Sequence, residues 1–243
     1  MNSFPTTHPQ PPLVAEGMRI TEAAEDAGVK LRLLGGVGVV AHCPGVLGGQ
    51  PHREIADIDV AISRQDARAL TGVLEGLGYE PERRFNALHG DTRMIFRGPH
   101  GKLDVFVGAF SMCHELEIGD RLALDFPALT ATDLLLTKLQ IVELNAKDAH
   151  DASVLLAEHP IEEGDGDHID VAYVQRLTGD DWGLWRTVTA TLEHLAELHP
   201  LVADKCHSLR DAIHAAPKSR RFKLRARVGE RVRWYELPEE SVA

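Results

Sequence analysis

Cysteine is nearly missing from this chain. Three of 243 residues carry a thiol, Cys43, Cys113 and Cys206. An odd, widely spaced set builds no disulfide framework, and without a CxxC pair nothing suggests zinc. No stretch approaches about 18 consecutive apolar residues, so no membrane span is expected. The first residues, MNSFPTTHPQPPL, lack the charged and apolar segments of a signal peptide. These absences lead to the expectation of a soluble, cytoplasmic protein. Positive charge is also scarce. The formal net charge of −11 argues against a broad nucleic-acid-binding surface. No HExxH, GxSxG or GxxxxGK[ST] occurs, and the thirteen histidines show no ligand spacing.

What is present suffices for a sizeable core: 44% of residues are hydrophobic, and the length suits one large domain or two small ones. Charge is unevenly spread. Residues 218–233, KSRRFKLRARVGERVR, hold eight Lys/Arg against one Glu, which leaves −18 on the rest of the chain. Such a strip either touches phosphates locally or pairs with the protein's own acids.

Residues 1–12 are Pro-rich and are expected to be a disordered tail. The pattern predicts a helix over 13–27, a strand at 30–34 and a short helix over 37–43 that Pro44-Gly45 stops. A Gly-rich loop fills 44–56. Strand alternation covers 57–62, and Ser63-x-x-Asp66 is a capping signal for a helix reaching Leu77. Residues 91–97 and 102–107 read as a strand pair turning at Gly98–Gly101, and 121–124 as a further short strand. From Thr130 the texture turns helical: about 131–145, 147–158, 180–198 and 201–215, with 161–170 as an acidic linker. Asp165-Gly-Asp167-x-x-Asp170 lacks EF-hand order and reads as solvated linker. Trp182 and Trp185, three apart on a helix, are core. The tail, 222–228 and 231–235 around Gly229-Glu230, resembles a hairpin.

The chemistry gathers on three acids behind a double glycine. Gly35-Gly36 follows a strand and opens a helix, where bare N–H groups can meet a phosphate and glycine permits close approach. Asp57 and Asp59 sit two apart on a strand. They share a face, roughly 6.6 Å apart at a rise of about 3.3 Å per residue, while Ile58, Val60 and Ile62 take the other. Asp104 lies in the apolar strand KLDVFV, where a charge is costly without a partner or metal. Three carboxylates on neighbouring strands form a hard, all-oxygen set that suits Mg²⁺.

This order, strand, Gly-Gly, short helix, loop, Asp-x-Asp and a later single Asp, resembles the nucleotidyltransferase superfamily with its polymerase-beta-like fold. The resemblance covers about residues 30–157. It implies that Asp57, Asp59 and Asp104 hold two Mg²⁺ ions, that Asp104 completes the site or accepts the acceptor's proton, and that Gly35 and Gly36 hold the phosphates of an NTP substrate. The stretch LLLTKLQIVELNAKDAHDASVLL is similar to the AbiEii-like type IV toxin group, in which a lysine contacts nucleotide phosphate and a later Asp is needed for activity. That names Lys138 and Asp151. Read from the residues alone, Lys138 is a snorkelling lysine on an apolar helix, and Asp151 a solubilising acid or a partner of His150 or Lys147. The twenty-residue interval between Gly-Gly and Asp57 is longer than the shortest family patterns and matches the longer-loop, aminoglycoside-type members.

The reading expects an α+β protein: a nucleotidyltransferase-fold mixed-sheet lobe over 13–129, a mainly helical lobe over 130–217 and a basic strand-like tail over 218–243. Its activity would be Mg²⁺-dependent transfer of an NMP onto a hydroxyl. The acceptor would be RNA such as a tRNA end, with an antitoxin as possible partner, or a small molecule such as an antibiotic. Two alternatives stand beside it. Gly36-x-Gly38-x-x-Ala41, with Asp57 about twenty residues on, fits a Rossmann-like dinucleotide site. A non-catalytic nucleotide-binding module is the other.

Overall fold

The computed structural model describes residues 12–43, 53–164 and 166–237. Expectations for the N-terminal tail and for most of the Gly-rich loop lie outside the described residues, apart from Pro12 and 53–56. The described chain divides into two compact units, one formed by 12–43, 53–109 and 117–129, the other by 110–116 and 130–237.

The first unit runs α1 (Pro12–Asp26), β1 (Leu31–Leu34), α2 (Gly35–His42), β2 (Ile58–Ile62), α3 (Ala67–Gly76), β3 (Glu80–Pro81), α4 (Arg83–His89), β4 (Arg93–Gly98) and β5 (Gly101–Val107). Its sheet has the order β1-β2-β5-β4-β3. Only β2 and β5 are parallel; the other pairings are antiparallel. Period-two alternation makes the sheet two-faced. Leu31, Leu33, Ile58, Val60, Ile62, Leu103, Val105 and Phe96 form one buried, apolar face. The opposite face carries Asp59, Lys102, Asp104 and Arg93, as the register requires. The outer edge of β1 is covered by residues 127–129: Leu33 donates its N–H to Pro127 O and accepts from Leu129 N.

Antiparallel pairing of β1 with β2 overturns the Rossmann-like alternative. Leu34 sits opposite Asp59, whereas a dinucleotide fold needs parallel strands on either side of its glycine-led helix. Ser63 does not cap backbone; its hydroxyl donates to Asp66 Oδ2 at 2.8 Å, and a 3₁₀ turn at Arg64–Asp66 precedes α3. The strand expected at 121–124 is absent: Gly119–Arg121 is a 3₁₀ turn, and Leu124 donates its N–H back to Arg121 O. A two-stranded ribbon joins β6 (Ala109–Ser111) to β7 (Glu115–Glu117).

The second unit holds α5 (Ala131–Leu139), α6 (Ala146–Glu158), β8 (Ile161–Glu162), β9 (Ile169–Asp170), α7 (Val171–Asp180), α8 (Trp182–Leu198), α9 (Ala203–Ala215) and α10 (Arg220–Val228). Thr130 caps α5 by accepting from Asp133 N. α5 ends at Leu139, six residues earlier than the apolar run suggests: Ile141 turns back to donate its N–H to Lys138 O, and Asn145 then opens α6, accepting from Lys147 N and Asp148 N. Asp170, expected in a solvated linker, caps α7 through Ala172 N and Tyr173 N. Helix α7 itself escapes the sequence pattern.

The C-terminal hairpin is a correction. Residues 220–228 are helix, started by Ser219 accepting from Phe222 N and ended at Gly229 with φ +59°. Alternation of large and cationic residues resembles a strand, but the cap and the C-terminal glycine decide for helix. Phe222 is buried with its ring 5.5 Å from that of Trp185.

Candidate functional site

The register of two strands builds the site. β2 and β5 run parallel with Asp59 beside Asp104, so their Cα atoms are one strand spacing apart, about 4.8 Å. Asp57 precedes β2 by one residue and lies two before Asp59, on the same side. One carboxylate oxygen from each of Asp57, Asp59 and Asp104 falls within 4.8 Å of the others. Asp104 is buried, while Asp57 and Asp59 remain partly exposed. The three acids expected to converge do so.

The glycines meet the same cluster. β1 delivers the chain to α2, whose first residue, Gly35, has φ +62°. A Cβ at Gly35 would overlap the Asp59 carboxylate, so both backbone and space demand glycine there. A Cβ at Gly36 would come 2.6 Å from Arg53 Nη2. The N-cap residue of α2 is Leu34, which has no side-chain acceptor for the first-turn amides. A helix start of this kind suits an anion.

Two cations face the acids, and the sequence reading passed over both. Lys102 Nζ lies 2.6 Å from Asp104 Oδ2 and 3.6 Å from Asp57 Oδ2. Arg93 donates to Asp104 Oδ1 from Nη2 at 2.9 Å and from Nε at 3.1 Å. Burial pulls the Lys102 pKa down, but the hydrogen bond and charge of Asp104, with the charge of Asp57, more than offset this and hold it above the ordinary lysine value. A signal for both was present. Lys102 is two before Asp104, hence on its face. The Gly98–Gly101 turn sets Ile95 opposite Asp104 and so puts Arg93 on that face as well.

No protein-family model matches the sequence, and no curated protein matches it. Among solved structures the chain is similar to the lincomycin-bound lincosamide antibiotic adenylyltransferase LnuA, at 21% identity over 58% of this chain and 94% of that one, with a TM-score of 0.43. It is similar to the antibiotic-resistance factor ANT(2'')-Ia, at 14% identity over 76% of this chain and 96% of that one, TM-score 0.44. An antigenic nucleotidyltransferase-like protein from Paracoccidioides brasiliensis matches at 14% identity over 85% and 94%, TM-score 0.44. Likenesses this shallow say nothing about substrate.

Lys138 and Asp151 meet each other in the second unit. The Lys138 ammonium donates to Asp148 Oδ1 at 2.7 Å and lies 3.1 Å from Asp151 Oδ2. Its side chain is 8% exposed, so it does not snorkel; the charge stays inside and is neutralised there. Asn145 Nδ2 donates to the other oxygen of Asp148 at 2.7 Å. Burial lowers the Lys138 pKa, and the charges and hydrogen bonds of Asp151 and Asp148 overcome that and raise it.

Part of the basic tail is spent on its own unit. Arg225 lies over the Trp182 ring at 4.7 Å and donates to Gly229 O and Val232 O. Arg221 approaches Asp180 and Asp181, and Glu230 takes Arg186 at 2.6 Å. Asp180, Asp181, Trp182, Arg221 and Arg225 border a cavity of about 1030 Å³ that also involves Trp234 and His114. Burial lowers the His114 pKa, with Asp181 partly opposing.

Proposed function

We propose that this protein is a divalent-metal-dependent nucleotidyltransferase that moves a nucleoside monophosphate from an NTP onto the hydroxyl of a small molecule. The observation that carries the reading is the convergence of Asp57, Asp59 and Asp104 to within 4.8 Å, with Gly35 pressed against Asp59. An all-carboxylate donor set fits a hard cation such as Mg²⁺, and the three side chains would hold it. Bound there, divalent cations would lower the pKa of the acceptor hydroxyl and neutralise charge on the pyrophosphate leaving group.

The chain's own groups would do the rest. First-turn amides of α2 at Gly35 and Gly36 would bind the NTP phosphates and stabilise charge developing on them. Asp104 is the candidate to receive the acceptor's proton. Lys138 and Asp151 enter this proposal on the sequence resemblance alone. Their buried pairing with Asp148 also fits a purely structural duty, and variants at Lys138 separate the two.

Two observations favour a small acceptor over RNA. Net charge is −11, and three of the six arginines in 218–233, Arg221, Arg225 and Arg233, already bind acids, carbonyls or rings of their own unit. The test incubates the protein with Mg²⁺ and each labelled NTP, alone, with total tRNA, or with cationic polyhydroxylated small molecules. Label on a small molecule is the expected result. Label in RNA moves the acceptor to the toxin-like class. Nucleotide binding without transfer to any acceptor leaves the non-catalytic module.

A further inference from the structure

Both oxygens of Asp104 are already held by cations. Arg93 grips Oδ1 through two N–H groups, and Lys102 takes Oδ2 at 2.6 Å while also reaching Asp57. A metal ion that used an Asp104 oxygen would compete with one of them. Arg93 is the harder to move. Its fork makes two bonds to one oxygen, and its guanidinium carbon lies 5.4 Å from the Phe106 ring centroid. Lys102 is a single point charge on a flexible stem. The two side chains are about equally exposed, 30% for Lys102 and 29% for Arg93, so the bond count and the flexible stem decide which one moves.

Resting on the nucleotidyltransferase reading above, we propose that Lys102 is an exchangeable internal cation which divalent metal must displace from Asp104 and Asp57, and that the triphosphate draws it away. Free metal then meets carboxylates already partly neutralised, and must break an ion pair to bind. Metal arriving with a nucleoside triphosphate brings an anion that takes over the ammonium. Lys102 thereby couples the two ligands: each raises the affinity for the other, by the same factor. Arg93 is a positioning residue, fixing the Asp104 carboxylate while Lys102 exchanges.

The test reads metal binding, not turnover. Mn²⁺ is titrated into the full-length protein and followed by the electron paramagnetic resonance of the free ion, with and without an α,β-methylene nucleoside triphosphate, each base in turn. In the wild type the analogue should tighten Mn²⁺ binding by about tenfold, a typical coupling. Lys102→Met keeps the stem and removes the charge. It should bind Mn²⁺ without nucleotide about tenfold more tightly than wild type and lose most of the coupling. Lys102→Gln, a polar replacement at this partly exposed position, should behave alike if Met disturbs folding. Unchanged Mn²⁺ affinity and coupling in both variants overturns the role of Lys102 while leaving the metal site standing. Failure of every protein to bind Mn²⁺, with or without analogue, removes the nucleotidyltransferase reading itself and this inference with it.

Discussion

Two carboxylate–lysine clusters, one in each unit, look alike on paper and differ in kind. At Asp57, Asp59 and Asp104 three acids face two cations, Lys102 and Arg93, and Asp57, Asp59 and Lys102 are partly exposed on the polar face of a sheet. At Lys138 two acids, Asp148 and Asp151, hold one buried ammonium, and the exposed Asn145 amide holds the other oxygen of Asp148. The first cluster keeps access to solvent, which a cationic ligand needs. The second satisfies its buried lysine, which a fold needs. Lysines beside aspartates do not by themselves mark a site; the number of converging carboxylates and the route to solvent do.

The sharpest way to break this contrast is to remove each lysine. Lys138→Met leaves the buried Asp151 and the part-buried Asp148 without a cation and should cost about 3–5 kcal/mol in urea unfolding of the chain. A loss of NMP transfer with the urea midpoint unchanged would instead make Lys138 part of the chemistry. Next in size, Asp104→Asn should lower transfer by about 10²–10³-fold, the usual effect of deleting one electrostatic stabiliser, with the far-UV circular dichroism unchanged. Full activity would strip Asp104 of its role. Gly35→Ala should cost roughly 1–3 kcal/mol through strain at positive φ and should weaken nucleotide and Mn²⁺ binding together, because its methyl group displaces Asp59. Intact binding in a folded Gly35→Ala protein would separate the glycine from the acids.

The smallest effect concerns pH in the second unit. His114 has a pKa held below its ordinary 6.5 by burial. The unfolded chain therefore takes up this proton first, so the stabilising contribution is complete above about pH 6.5 and declines as pH falls through the depressed folded value. Urea midpoints measured from pH 8 to pH 5 should decline on the acid side, and His114→Gln should flatten that slope. An identical slope in the variant would assign the decline to other groups.

The candidate acids were legible because the relevant rule is local. Two residues apart on a strand means one face, whatever the strand pairs with, so Asp57 and Asp59 needed no tertiary information. Asp104 required only that its strand come near. Lys102 follows from the same rule, two before Asp104 on its strand; Arg93 was harder, because it meets Asp104 through register, which becomes visible only when the Gly98–Gly101 turn is counted through both strands. The tail failed for a different reason. Large residues alternating with arginines fit a strand as well as a helix, and the choice fell to the Ser219 cap and the burial of Phe222 against Trp185. α5 is shorter than its apolar run suggests because that run, through Ile141 and Val142, continues past the helix end at Leu139.

The sequence by itself determined the elements and the chemical inventory: alternating strands, helix starts, a glycine pair and three acids, all set by backbone geometry over a few residues. Tertiary structure alone decided that β2 and β5 lie parallel and side by side and that β1 runs against them. Those outcomes depend on pairing between segments tens of residues apart, which no local preference encodes.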